Sequence, residues 1–167
     1  MGKKTVTVPS SRRTRLVIGV GVCVLASAAA VTAYAFQHRD PGVPAAKNSD
    51  APQCRRITDA APDSLGGLSR WDSDASGVAV WGDRAIVLRC GVTPPGLTHD
   101  PCFAVDGVDW VIDTKQSTHT RKVIVTYGRT PATQVVFDGG GRTDAALVEL
   151  SRLVAPIRQA SHCLDSA

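Results

Sequence analysis

No Gly-x-Ser-x-Gly elbow occurs anywhere in the 167 residues, which excludes the exposed strand-to-helix serine of an α/β-hydrolase. The triple glycine Gly139-Gly140-Gly141 is followed by neither Lys-Ser nor Lys-Thr. Asp138 and Asp144 flank it with the wrong sign for a phosphate, so it reads as a chain reversal rather than a nucleotide cradle. Aromatic residues are few, at three Trp, two Tyr and three Phe; Trp81 and Trp110 are therefore expected to fill a core rather than form a ligand platform. Basic residues are scarce where nucleic acid would need them. Of nineteen Lys and Arg, five precede Leu16, and the other fourteen stand against all fifteen acids, a balance of about −1 for the rest of the chain. With no basic stripe, nucleic acid is not expected as a partner.

What the chain does contain is an apolar run from Leu16 to Phe36, free of charge and of proline. As a helix it would span roughly 31 Å, matching the roughly 30 Å hydrocarbon core of a bilayer. Lys3, Lys4, Arg12, Arg13 and Arg15 precede it with no acid among them, which predicts a cytoplasmic N-terminus and an exported remainder. The run is longer than the apolar core of a usual signal peptide and so predicts a retained signal anchor in the cell membrane; cleavage after Ala35, between small residues, and secretion are the alternative. Cys23 follows Gly21-Val22 after only seven apolar residues, a poor lipidation signal. The predicted organisation is a basic cytoplasmic tail over 1–15, a transmembrane helix over 16–36, an extended Pro-rich linker over 37–53 carrying Pro41, Pro44 and Pro52, and one exported domain over 54–167.

Four cysteines, Cys54, Cys90, Cys102 and Cys163, follow the run, and an even number in an oxidising compartment predicts two disulfides. Of three possible pairings the preferred one is Cys54 with Cys90 and Cys102 with Cys163, because each then staples a helix to a strand. Cys90 with Cys102, and Cys54 with Cys163, would instead close a Pro-rich loop and tie the domain's ends together.

Hydrophobic periodicity predicts α+β: an antiparallel sheet of about six strands, covered on one face by an N-terminal and a C-terminal helix. Cys54, Ile57 and Ala61 share a helical face ahead of Pro62, and Leu65-Gly66-Gly67-Leu68 turns the chain. Strands follow at 78–81 and 85–89, then, past Pro94, Pro95 and Pro101, at 103–105 and 108–110 around Asp106-Gly107, a dipeptide suited to a type I′ hairpin turn. Two more are predicted at 122–127 and 133–137. Leu147, Leu150, Val154, Ile157 and Leu164 then line one helical stripe, which Pro156 should kink.

Candidate chemistry is thin. Asp72, Asp74, Ser76 and Gly77, with Asp83 at the twelfth place, have much of the spacing of a calcium loop, although the flanking pattern is that of strands. His99 with Cys102 and His162 with Cys163 have zinc-ligand chemistry, weakened because oxidised cysteines do not ligate. Asp106 and Asp109 are a formal acid and base, but Asp106 is needed by the turn and Asp109, between valine and tryptophan, is expected to face solvent.

The segments 81–91 (WGDRAIVLRCG), 105–110 (VDGVDW) and 128–131 (GRTP) resemble, in that order, an actinobacterial family known as domain of unknown function 3515. The similarity covers most of Cys54 to Leu164. It implies an exported, membrane-anchored or lipidated envelope protein, with no established reaction and no site residues to carry over. Many members resemble lipoproteins, which this chain, lacking a good acceptor cysteine, does not. Trp81, Arg89, Asp109, Trp110 and Arg129 are the motif residues that mark a candidate surface or core feature. The expected function is a non-enzymatic binding or accessory module, anchored through Leu16 to Phe36, whose partner is an envelope protein or wall component, with no catalytic residue, cofactor or metal. The alternatives are a small hydrolase-like enzyme assembled only in three dimensions and the calcium loop from Asp72 to Asp83.

Overall fold

The computed structural model describes Gly2 and residues 42–139 and 143–164. The chain divides into two compact units, Met1–His38 and Arg39–Ala167, and the second holds the fold. The predicted tail, apart from Gly2, and the predicted span from Leu16 to Phe36 lie outside the described residues, among which no helix is long and apolar enough to cross a membrane.

Among the described residues, eight strands form one antiparallel sheet. In chain order the elements are α1 (Pro52–Asp59), β1 (Ser64–Leu65), β2 (Leu68–Trp71), β3 (Val78–Trp81), β4 (Ile86–Val92), β5 (Cys102–Val105), β6 (Val108–Ile112), β7 (Arg121–Thr126), β8 (Ala132–Asp138) and α2 (Thr143–Val154). The spatial order β1-β2-β3-β4-β8-β7-β6-β5 makes two meanders joined where β4 pairs with β8. The Asp106-Gly107 turn has both residues at positive φ, 50° and 76°, and closes β5 onto β6 with Val105 opposite Val108. Gly66 and Gly67, at φ 57° and 79°, do the same for β1 and β2. The sequence thus placed a turn correctly at Leu65–Leu68 while missing the two short strands it joins.

Both helices lie on one face. Cys54 and Ile57 of α1 and Ala146, Leu147, Leu150 and Val154 of α2 share a buried cluster with Trp81, Leu88, Trp110, Ile124 and Val135. Burial of these side chains, at roughly 1.5–3 kcal/mol for each large one, is the main stabilising term. The opposite face holds a smaller cluster, Val78, Val80, Val87, Val123 and Val136, with Val43, Trp71 and Ala75 packed against it.

Two departures concern the chain flanking the sheet. Proline has no N–H to continue a helix, and α2 stops at Val154 rather than kinking at Pro156. Ile157 is still buried, but Leu164, predicted on the helical stripe, is 92% exposed. On the other flank, residues 43–51 were expected to be extended linker, yet Ala46 and Ser49 are buried and Asn48 N–H donates to Gly91 O at 3.0 Å.

Candidate functional site

The motif residues Trp81 and Trp110 are fully buried, and each uses its one donor inside the fold. Trp81 Nε1 donates to Pro62 O at 2.8 Å, fixing the chain that leaves α1. Trp110 Nε1 donates to Ser151 Oγ at 3.0 Å, fixing α2 to β6. A buried indole N–H left unpaired would be costly, so these bonds specify where each helix sits.

Asp109 is not the solvent-facing strand residue that alternation predicts: it is 7% exposed, because the chain beyond α2 folds back over it. Its Oδ2 accepts Gln159 Nε2 at 2.7 Å and the backbone N–H of Cys163 at 2.9 Å, and lies 3.2 Å from His162 Nδ1. Arg129, 4% exposed, donates through Nη1 to Ala155 O at 3.0 Å and to Ile157 O, and through Nη2 to Gly107 O at 3.4 Å. Burial pulls the Arg129 guanidinium below its ordinary pKa, and the Asp109 charge opposes that shift. Gly128 completes the arrangement. It sits at φ +67°, its carbonyl accepts Ala160 N–H at 2.7 Å, and a Cβ there would stand 2.0 Å from Ser161 O. The GRTP motif, whose Thr130-Pro131 peptide is cis, and the aspartate of VDGVDW therefore clamp the C-terminal segment.

The first motif does the same for the N-terminal flank. Arg89 Nε donates to Pro44 O at 3.1 Å and its Nη1 to Gln134 Oε1 at 3.4 Å. Gly91, at φ +93° in the irregularity between Cys90 and Val92, lies so close to Asn48 that an added Cβ would stand 2.4 Å from its carbonyl carbon. Between them, Cys90 is bonded to Cys54 and draws α1 onto the sheet, while Cys102 is bonded to Cys163 at the far end. This is the preferred pairing of the sequence analysis.

The metal candidates fare differently. In the calcium spacing, β3 stands between Gly77 and Asp83. Four extended residues separate the ends by roughly 13 Å, so Asp83 cannot close a loop begun at Asp72, and the calcium reading is withdrawn. His99, Cys102, His162 and Cys163 do meet, around a cavity of about 550 Å³, but the two sulfurs are bonded to each other and no thiolate remains. Among the described residues no three His, Cys, Asp or Glu side chains gather as a metal site. Asp106 pairs with Arg152 at 2.8 Å on the surface, so it and Asp109 serve separate contacts rather than an acid–base couple.

A second cavity, about 640 Å³ and open to solvent, lies on the face away from the helices. Its lining includes Arg84, Arg89, Arg121, Gln134, Asp83 and Asp138 around Val87 and Val136. Of these only Arg89 is among the motif residues that the sequence marks; Asp83 and Asp138 enter there as the end of the calcium spacing and a flank of the triple glycine. Arg89 faces Gln134 and Arg121 faces Asp138 as register partners across strand pairs, and pairing register is not written in single-strand periodicity.

Neither a curated protein nor a solved structure matches the chain. A family model described as "Protein of unknown function (DUF3515)" matches residues 15–162, and the chain belongs to that family.

Proposed function

We propose that this chain is a non-enzymatic module of the actinobacterial cell envelope, held at the outer face of the membrane by the run from Leu16 to Phe36, with its N-terminus in the cytoplasm. One observation carries the reading: the family's motif residues direct their polar groups at the chain itself. Trp81, Trp110, Asp109 and Arg129 bond to Pro62, Ser151, the segment 159–163 and three backbone carbonyls. Residues engaged in this way position segments; they do not present a nucleophile or base to a substrate. The two disulfides support an oxidising compartment, and the five positive charges before Leu16 support the orientation. The partner in this reading is an envelope protein or wall component.

Fractionation of producing cells, with mass determination of the mature N-terminus and cross-linking in the intact envelope, tests the proposal. Full-length protein in the membrane fraction, shaved by external protease and cross-linked to a reproducible partner, is the expected result. A soluble product beginning at Phe36, or turnover of an envelope substrate abolished by Asp109→Asn in protein that is still folded, overturns it.

A further inference from the structure

We infer that the open groove on the helix-free face is a binding site for a phosphate-bearing ligand, with Arg84, Arg89 and Arg121 as its anion contacts. The inference rests on the module reading above and names the ligand chemistry of the module. Three arginines line one cavity of about 640 Å³, against two aspartates, Asp83 and Asp138. The domain as a whole carries no positive excess, so this collection of arginines is local rather than a sample of a basic surface.

The three differ in how they are held, and the difference suits a site. Arg89 is fixed by Pro44 O and Gln134 Oε1, which hold its guanidinium plane beside the groove. Arg84 and Arg121 are exposed, and their guanidiniums have no bonded partner among the described residues, although Asp138 stands opposite Arg121 in the register. Arg84 sits at φ 59° in the turn between β3 and β4, where its backbone N–H donates to Gly82 O at 2.6 Å. One arginine fork saturates the two oxygens of a carboxylate, whereas three forks match the larger oxygen set of a phosphate. Val87 and Val136 form an apolar floor, and Asp83 and Asp138 are acceptors for hydroxyl groups, so the fitting ligand carries its phosphate on a hydroxylated body. Such a group is found both in a phospholipid headgroup and in a soluble or polymeric sugar or glycerol phosphate.

The test uses the full chain in neutral detergent micelles, titrated with glycerol 3-phosphate and, separately, glycerol, and the full chain in nanodiscs of phosphatidylcholine with or without phosphatidylglycerol. Thermal shift and isothermal calorimetry read the micelles; protection of the groove arginines from phenylglyoxal reads the nanodiscs. The expected result is saturable binding of glycerol phosphate but not glycerol, or protection that requires phosphatidylglycerol. Either must weaken about tenfold or more in Arg84→Gln/Arg121→Gln, whose side chains hold nothing in the fold, and be unchanged in Arg152→Gln. Binding in micelles assigns the soluble source, and protection in anionic nanodiscs alone assigns the headgroup. Arg89→Lys, which keeps the charge but loses the fork, should also weaken binding, with a lowered melting temperature from the lost bonds to Pro44 O and Gln134 Oε1. Absence of both signals, or equal signals in the double variant, overturns the inference; if the protein is still membrane-retained and cross-linked, the module reading stands without it.

Discussion

Asp109 accepts the backbone N–H of Cys163 at 2.9 Å across fifty-four residues of sequence, and that bond lies beside the disulfide from Cys163 to Cys102. A strand carboxylate and a covalent link thus hold the same residue from two sides. Because Asp109 also takes Gln159 and faces the buried charge of Arg129, its neutralisation should release the segment beyond α2 without disturbing the sheet.

Asp109→Asn is expected to destabilise the protein by about 1.5–3 kcal/mol, because the bonds from Gln159 Nε2 and the Cys163 N–H to a buried carboxylate lose their charge assistance. Arg152→Ala, which removes only the exposed pair with Asp106, should cost less than about 1 kcal/mol. Denaturant unfolding of both variants checks the contrast; equal losses would mean that Asp109 is not the anchor of the segment.

Two glycines at similar φ should respond differently to alanine. Gly107→Ala meets open space and should cost about 1–2 kcal/mol of left-handed strain alone. In Gly128→Ala the same strain is joined by a Cβ 2.0 Å from Ser161 O, so the segment must move. A cost at Gly128 no larger than at Gly107, measured by thermal unfolding, would show that the close approach is not required.

The disulfides should open in a fixed order. Cys54 and Cys90 are wholly inaccessible, whereas Cys102 is exposed and Cys163 partly so. Attack by a thiolate needs access, so graded reduction followed by alkylation and peptide mapping should label Cys102 and Cys163 first. Labelling of Cys54 and Cys90 at the same or lower reductant would contradict the burial.

Asp100 carries a pH dependence. Hydrogen bonds from Thr114 and Thr98, with a smaller contribution from Lys115, hold its carboxyl below the ordinary value against a slight opposing effect of burial. A carboxylate whose folded pKa is depressed stabilises the fold fully above its unfolded value, near about 4, and loses that contribution as pH falls through the depressed value. The link between the loop before β5 and the turn after β6 should therefore loosen only below about pH 4. Carboxyl chemical shifts followed by NMR check it; titration of Asp100 at or above the ordinary value would sink the prediction.

Much of this fold is legible in the sequence where side-chain pattern carries the information. Asp106-Gly107 specified its hairpin because few residues tolerate two successive positive φ values, and the cysteine pairing followed from which positions end a strand or face inward on a helix. β1 and β2 escaped because two and four residues are too short to show a period, and their burial is partial. The flanks were illegible for a different reason. Asn48 meets Gly91, and Ala160 meets Gly128, through backbone groups, which every sequence possesses and none advertises. Leu164 was assigned to a helix that Pro156 had already ended, and Asp109 looked exposed because the segment covering it comes from fifty residues later. Arg89 was legible as a motif residue, but its nearness to Arg121 depends on the β4–β8 and β7–β8 registers, which no single strand displays.

The family's motifs clamp the two flanks of the sheet, and native-state hydrogen exchange of the full chain reads that clamp amide by amide. The amides of Asn48, Ala160 and Cys163 should be protected in the native protein, since their acceptors are Gly91, Gly128 and Asp109. In Asp109→Asn, Ala160 and Cys163 should exchange at least about tenfold faster while Asn48 stays protected. Rapid exchange of all three in the unaltered protein, or an Asp109→Asn variant with unchanged protection at Cys163, would contradict it.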